Sequence, residues 1–130
     1  MEKTKVLLLD DDADFLELMD MRLKSWGYDV ILAKTGKEAL DAVSKQRPDI
    51  AVLDYLLPDM DGVSVLRKIR KKDKAMSVIM FTAYPDSEAI KDADNLGITA
   101  FIPKLSIYND TLAALKSALN ISQNRLKKGA

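Results

Sequence analysis

The chain has 130 residues, of which 48% are hydrophobic, enough to build one domain with a sizeable core. Its 20 basic residues balance its 20 acidic ones, which argues against a protein that binds nucleic acid directly, because such domains are usually basic. Cysteine and histidine are both absent, so disulfides, thiolate or histidine metal sites and a Ser-His-Asp triad are excluded. No apolar stretch reaches the ~18 residues that suggest a membrane span, and we expect a cytoplasmic protein without a membrane partner.

Short apolar runs alternate along the chain with segments of helical periodicity. We predict strands at about residues 5–10, 29–33, 50–54, 77–82 and 99–102. Each predicted strand is followed by a predicted helix. This alternation is typical of an α/β fold, a doubly wound five-stranded parallel sheet with helices on both faces.

Residues that begin or end helices support these assignments. Gly27 is expected to stop the first helix, and Thr35 with Glu38 has the pattern of a capping box at the start of the second. The last helix is expected to begin at a cap formed by Ser106 or Asn109. We predict a domain over residues 1–122, followed by a polar tail at 123–130 that frays.

A dense basic run, residues 67–74, closes the third helix. It could be interpreted as a DNA-binding patch. The zero net charge favours a different interpretation, in which the cations complement the negative end of the helix dipole.

Polar residues stand where four of the predicted strands end: Asp10 with Asp11, then Asp54, Thr82 and Lys104. Ligands of parallel α/β sheets bind at the carboxyl ends of the strands, so we expect these side chains to converge. Each has an ordinary alternative role, as a helix cap, a turn former, a packed β-branched residue or a solvated cation. Those roles would leave the coincidence of four strand ends unexplained.

The converging groups suit a divalent cation and a phosphoryl group. Mg²⁺ prefers carboxylate oxygens, which Asp10, Asp11 and Asp54 supply, and three carboxylates without a cation would repel one another. An aspartate can form an aspartyl phosphate, and Asp54 stands at the tip of a central strand. Lys104 and Thr82 could then bind phosphoryl oxygens.

Over about Lys5 to Leu119, the chain resembles bacterial response-regulator receiver domains of two-component signalling, including the chemotaxis regulators. The motifs that carry the resemblance are VLLLDDD from Val6, DYLLPDMDG from Asp54, FTA from Phe81 and FIPK from Phe101. The resemblance implies a flavodoxin-like three-layer sandwich with strand order 2-1-3-4-5.

The resemblance also implies a function, a phosphoswitch rather than an enzyme that turns over a separate substrate. A sensor histidine kinase or phosphotransfer protein would give its phosphoryl group to Asp54. Mg²⁺ would be bound directly by Asp11, Asp54 and the backbone carbonyl of Leu56, and through water by Asp10. The switch pair would be Thr82 and Phe101.

Phosphorylation would then change the surface formed by the fourth helix, the fifth strand and the fifth helix. A downstream effector would bind there, and formation of a homodimer is a further possibility. Phe101 has an alternative interpretation as a plain core aromatic.

Three positions depart from the family pattern or add to it. Leu105 follows Lys104 where the family usually has a proline in a cis peptide. A non-proline cis bond costs about 2.5–4 kcal/mol, so we expect a trans bond, which leaves the position of the Lys104 loop open. Leu56 and Tyr84 are bulky neighbours of the site, and we expect them to screen the phosphoryl group from water and slow self-dephosphorylation.

Other functions are less consistent with these residues. A phosphatase of the haloacid-dehalogenase type would want an acidic residue two positions after Asp54, where Leu56 stands. A flavodoxin-like cofactor binder would want a Gly-rich or hydroxyl-rich loop after the first strand, where this chain is acidic. A degenerate receiver that serves only as an interaction or dimerisation module remains the alternative.

Overall fold

The computed structural model describes residues 3–83, 86–104 and 108–129. Strands and helices alternate throughout these ranges. The strands are β1 (Lys5–Leu9), β2 (Asp29–Ala33), β3 (Ile50–Leu53), β4 (Ser77–Thr82) and β5 (Ala100–Pro103). The helices are α1 (Ala13–Ser25), α2 (Gly36–Gln46), α3 (Gly62–Lys72), α4 (Ser87–Asn95) and α5 (Tyr108–Gly129). Among the described residues, no helix is both long enough and apolar enough to cross a membrane.

The strands form one parallel sheet in the order β2-β1-β3-β4-β5. This confirms the predicted doubly wound sheet and its order. Strands β2 and β5 are the edges, and β5 ends with Pro103 paired to Thr82. The central strands β1, β3 and β4 are almost wholly buried, which explains their continuous apolar sequences.

Alternate residues of each central strand enter two separate cores. On one face of the sheet, Val6 and Leu8 pack with Leu115 of α5 and residues of α1. On the other face, Leu7 and Leu9 pack with residues of α2 and α3. The sheet is therefore held rigidly between two apolar layers, and its strand ends have fixed positions.

Helix ends form largely as predicted. Gly27 has a left-handed φ of 96° after α1, and the N–H of Tyr28 bonds the carbonyl of Leu23, as in a Schellman motif. At the start of α2, Thr35 accepts from the N–H of Glu38 at 3.1 Å. The Glu38 carboxylate accepts from the N–H of Lys34, one residue earlier than a capping box requires.

The last helix excludes one of its two predicted caps and extends further than the sequence indicates. It begins at Tyr108, so Asn109 lies inside it and is not its cap, and Ser106 lies outside the described residues. It continues to Gly129, through most of the segment expected to fray. That segment has no helix breaker before Gly129, and Gln123 bonds the Thr4 hydroxyl at 3.3 Å. The domain boundary at residue 122 stays a prediction.

Arg70 joins three segments at the amino ends of β4 and β5. Its guanidinium donates to the carbonyls of Leu96 at 2.6 Å, Met76 at 2.8 Å and Gly97 at 3.1 Å. Burial lowers the pKa of Arg70, and the nearby Asp73 opposes that effect. Part of the basic run thus binds carbonyls at the end of α4 and in the loops, and the interpretation based on the dipole of α3 stays a prediction.

Replacing Arg70 with lysine should destabilise the fold. Lysine keeps the charge but loses the planar fork that reaches several carbonyls at once. We expect the Arg70→Lys change to lower the free energy of unfolding by about 1–3 kcal/mol, measured by urea denaturation. Lys68→Ala changes an exposed residue of the same helix and should shift it by less than about 0.5 kcal/mol. Equal unfolding midpoints for Arg70→Lys and the wild type would contradict this role.

Candidate functional site

The residues that follow the strands extend the hydrogen bonding of the sheet by one step. Asp10 donates its N–H to Ala33 at 3.1 Å, and Asp54 donates to Leu9 at 3.0 Å. Lys104 donates its N–H to the carbonyl of Thr82 at 2.7 Å. Their side chains therefore emerge at the edge of the sheet formed by the carboxyl ends of the strands, as the sequence predicts.

Three carboxylates converge at this edge. Asp10, Asp11 and Asp54 each place an oxygen within 4.8 Å of the other two. Asp10 and Asp54 are buried, with 2% and 7% of their surface exposed, whereas Asp11 is exposed. Strand β1 ends at Leu9, so the alternation of side chains along a strand no longer separates Asp10 from Asp11.

The third aspartate of the acidic run has a different role. Asp12 is the N-cap of α1, and its carboxylate accepts from the N–H groups of Asp14 at 3.1 Å and Phe15 at 3.2 Å. Its own N–H donates to the Asp10 carboxylate at 3.0 Å. The capping role that could have explained Asp10 and Asp11 therefore falls to Asp12.

Lys104 reaches the carboxylate cluster. Its ammonium donates to the carboxylate of Asp10 and lies 3.4 Å from an oxygen of Asp54. It also lies 4.2 Å from the centre of the Phe15 ring, a cation–π contact. The sequence indicated Phe15 only as a helix position, because its contact with a residue 89 positions away depends on how α1 packs. Leu105 lies outside the described residues.

Thr82 and Phe101 occupy neighbouring strands near the cluster. Thr82 is fully buried, and its side chain is among the groups that lower the pKa of the Asp54 carboxyl. Phe101 is partly buried, pairs with Met80 and packs against the core on the α2–α3 face of the sheet.

Electrostatics at Asp54 favour a bound cation. Burial raises the pKa of Asp54, and Asp10 raises it further. Lys104, the N–H of Tyr55 at 2.7 Å and Thr82 lower the pKa, but the net shift is upward. One ammonium leaves two of the three carboxylate charges uncompensated, and an all-oxygen donor set suits a hard divalent cation such as Mg²⁺.

The loop after β3 approaches the site closely. Leu56 has 47% of its surface exposed and forms an isolated antiparallel bridge with Asp61. The N–H of Gly62 bonds the carbonyl of Tyr55 at 2.7 Å, and a Cβ at Gly62 would lie 2.2 Å from the carbonyl oxygen of Asp54. Glycine is therefore required where α3 begins. Tyr84 lies outside the described residues.

The chain matches a known protein family over most of its length. Residues 6–116 match the family model described as the response regulator receiver domain. The chain belongs to this family of two-component signalling domains. The predicted family and fold are confirmed, and nothing in the comparisons favours the degenerate alternative.

Relatives and solved structures agree with this assignment. The chain is 32% identical to sporulation initiation phosphotransferase F of Bacillus subtilis, over 95% of this chain and 100% of that protein. It is 32% identical to the transcriptional regulatory protein ZraR of Escherichia coli, over 88% of this chain but only 26% of that protein. A CheY-like receiver domain from Methanospirillum hungatei superposes with a TM-score of 0.85 at 31% identity, covering 95% of this chain and 99% of that one.

Removing the Asp54 charge should stabilise the protein in the presence of a chelator. The raised pKa of Asp54 means that its ionised form disfavours folding, so Asp54→Asn should unfold at a higher urea concentration than the wild type at neutral pH. The difference in unfolding midpoint between Asp54→Asn and the wild type should be largest above the pKa of Asp54 in the folded protein. It should vanish as the pH falls toward 3.8, the ordinary pKa of an aspartate.

The control for this prediction is Asp41→Asn, which removes an exposed carboxylate of α2 and should leave the midpoint unchanged. A lower midpoint for Asp54→Asn than for the wild type at neutral pH would contradict the prediction.

Proposed function

We propose that Asp54 accepts a phosphoryl group from the phosphohistidine of a sensor kinase or phosphotransfer protein. The observation that supports this proposal is the convergence of Asp10, Asp11, Asp54 and Lys104 at one edge of the sheet in a receiver-family chain. These 130 residues contain no histidine, so the phosphohistidine is proposed to lie outside them.

In the proposed reaction, an oxygen of the Asp54 carboxylate attacks phosphorus while the bond from phosphorus to the partner's imidazole nitrogen breaks. The nitrogen takes the electron pair and then a proton. Mg²⁺, when bound, supplies positive charge to the phosphoryl oxygens. Asp11, Asp54 and the Leu56 carbonyl are its proposed direct ligands, and Asp10 is proposed to bind through water.

Two further residues would bind the product. Lys104 already lies between Asp10 and Asp54, so a small movement of its ammonium would reach a phosphoryl oxygen. The Thr82 hydroxyl, which already acts on the pKa of Asp54, would donate to another oxygen. The acyl phosphate is the stored form of the signal, so the chain acts as a phosphoswitch and catalyses only its own phosphorylation and dephosphorylation.

The switch is a shift between two conformers. Thr82 moves toward the phosphoryl group and leaves space into which Phe101 turns. Phe101 is suited to this role because it is only partly buried in the present conformation. Phosphate changes the equilibrium only by its difference in affinity for the two conformers, and the changed surface is that of α4, β5 and α5.

Partners follow from the same proposal. The match to the phosphotransferase covers that whole protein, whereas the match to the transcriptional regulator covers about a quarter of it. A relay role and a role controlling a joined output domain are therefore both consistent with this domain. An effector or a second copy would bind the α4–β5–α5 surface, and the cytoplasm is the proposed location.

Phosphorylation at Asp54 can be tested with a small phosphodonor such as acetyl phosphate. Mass spectrometry should show one added phosphoryl group on the wild type with Mg²⁺ and none on Asp54→Asn. Asp41→Asn, which changes an exposed aspartate of α2, should be labelled as the wild type is. Undiminished labelling of Asp54→Asn would rule out Asp54 as the acceptor.

Leu56 should slow the loss of the phosphoryl group. Its side chain is nearly half exposed two residues after Asp54 and would exclude attacking water. An asparagine there would instead hydrogen-bond a water molecule and orient it. We expect Leu56→Asn to accelerate decay of the phosphoprotein several-fold, followed by mass spectrometry after removal of the donor. Tyr84→Glu tests the second screening residue, and an unchanged decay rate in both variants would contradict the screening role.

A further inference from the structure

Asp59 bonds the start of α2 from a distant part of the chain. Its two carboxylate oxygens accept from the N–H groups of Gly36 at 2.8 Å and Lys37 at 3.0 Å. Thr35 accepts from the next N–H, that of Glu38. The first three N–H groups of α2 are thus all bonded, two of them by a residue more than 20 positions away.

The neighbouring residue strengthens this attachment. Met60 packs over Gly36 so closely that a Cβ on Gly36 would lie 2.5 Å from the Met60 Cγ. The hydrogen bonds from Gly36 and Lys37 also lower the pKa of the Asp59 carboxyl, although that side chain is exposed. Ionised Asp59 is therefore the form that α2 binds.

This attachment controls the path of the β3–α3 loop, residues 54–61. One end of the loop is Asp54, and the other is closed by the Leu56–Asp61 bridge and the bond from the N–H of Gly62 to Tyr55. Asp59 lies at the turn between these ends. Fixing it to α2 restricts the backbone at Leu56, whose carbonyl is the proposed third ligand of the cation.

We propose that Asp59 is a positioning residue for the metal site, because it fastens the β3–α3 loop to α2 and so places the backbone at Leu56 for Mg²⁺. This inference rests on the proposed function. Residues that orient metal ligands without touching the metal typically contribute about 10–100-fold to metal affinity. Asp59 acts through the loop backbone, so we expect an effect at the lower end of this range, about tenfold.

The test compares two variants that each remove a cap from the same helix. Asp59→Ala removes the two hydrogen bonds that attach the loop to α2, whereas Thr35→Ala removes a hydrogen bond within the start of α2 and leaves those of the loop in place. Mg²⁺ affinity is measured by calorimetric titration, and hydrogen exchange of the Gly62 amide is measured without Mg²⁺. Asp59→Asn keeps one acceptor oxygen and should be intermediate in both measurements.

We expect Asp59→Ala to weaken Mg²⁺ binding about tenfold and to speed exchange of the Gly62 amide, while Thr35→Ala changes neither. Equal affinity in Asp59→Ala and the wild type, or an equal loss in both alanine variants, would overturn the positioning role and leave the proposed function intact. Failure of the wild type itself to bind Mg²⁺ would instead overturn the metal site, and this inference with it.

Discussion

Burial of like charges at the ends of neighbouring strands is the constraint on which the site depends. Asp10 and Asp54 follow the central strands β1 and β3, whose side chains are almost fully buried, so neither aspartate can move away from the other. Lys104, carried by the end of β5, neutralises part of this charge. The sheet therefore holds a charge imbalance in place, which a cation or a phosphoryl group with its cation can relieve.

The two ends of the sheet have different physical roles. At the amino ends, Arg70 satisfies carbonyls from the α3–β4 connection and the end of α4, and no carboxylate takes part in its described hydrogen bonds. At the carboxyl ends, carboxylates are crowded and one cation is shared between two of them. The amino ends of the strands thus contribute to stability. At the carboxyl ends, the repulsion between carboxylates remains and favours the binding of a cation.

The sequence was sufficient to predict the features that depend on strand ends. Asp10, Asp11, Asp54 and Lys104 could be grouped because parallel strands place their carboxyl ends together, whatever the details of packing. The capping of α1 by an aspartate is a local feature, but the sequence could not show which of three adjacent aspartates would be the cap. The choice depends on where β1 stops.

Features that join distant segments could not be predicted in this way. The bonds from Gly36 and Lys37 to Asp59 and the contact of Lys104 with Phe15 require the helices to be docked first. Asn109, one of the two caps considered for α5, also could not be rejected from the sequence. Its side chain is typical of a cap, but the helix already begins at Tyr108.

Pro103 has a consequence for how this molecule meets others. The N–H of Lys104 donates to the carbonyl of Thr82 on β4. Because successive residues of a strand direct their N–H groups to opposite sides, the backbone nitrogen of residue 103 faces away from β4. That residue is proline, which has no N–H to donate. A strand from another molecule that paired with β5 would therefore lack one backbone hydrogen bond, next to the carboxylate cluster. The missing donor disfavours growth into an intermolecular sheet on this side of the molecule.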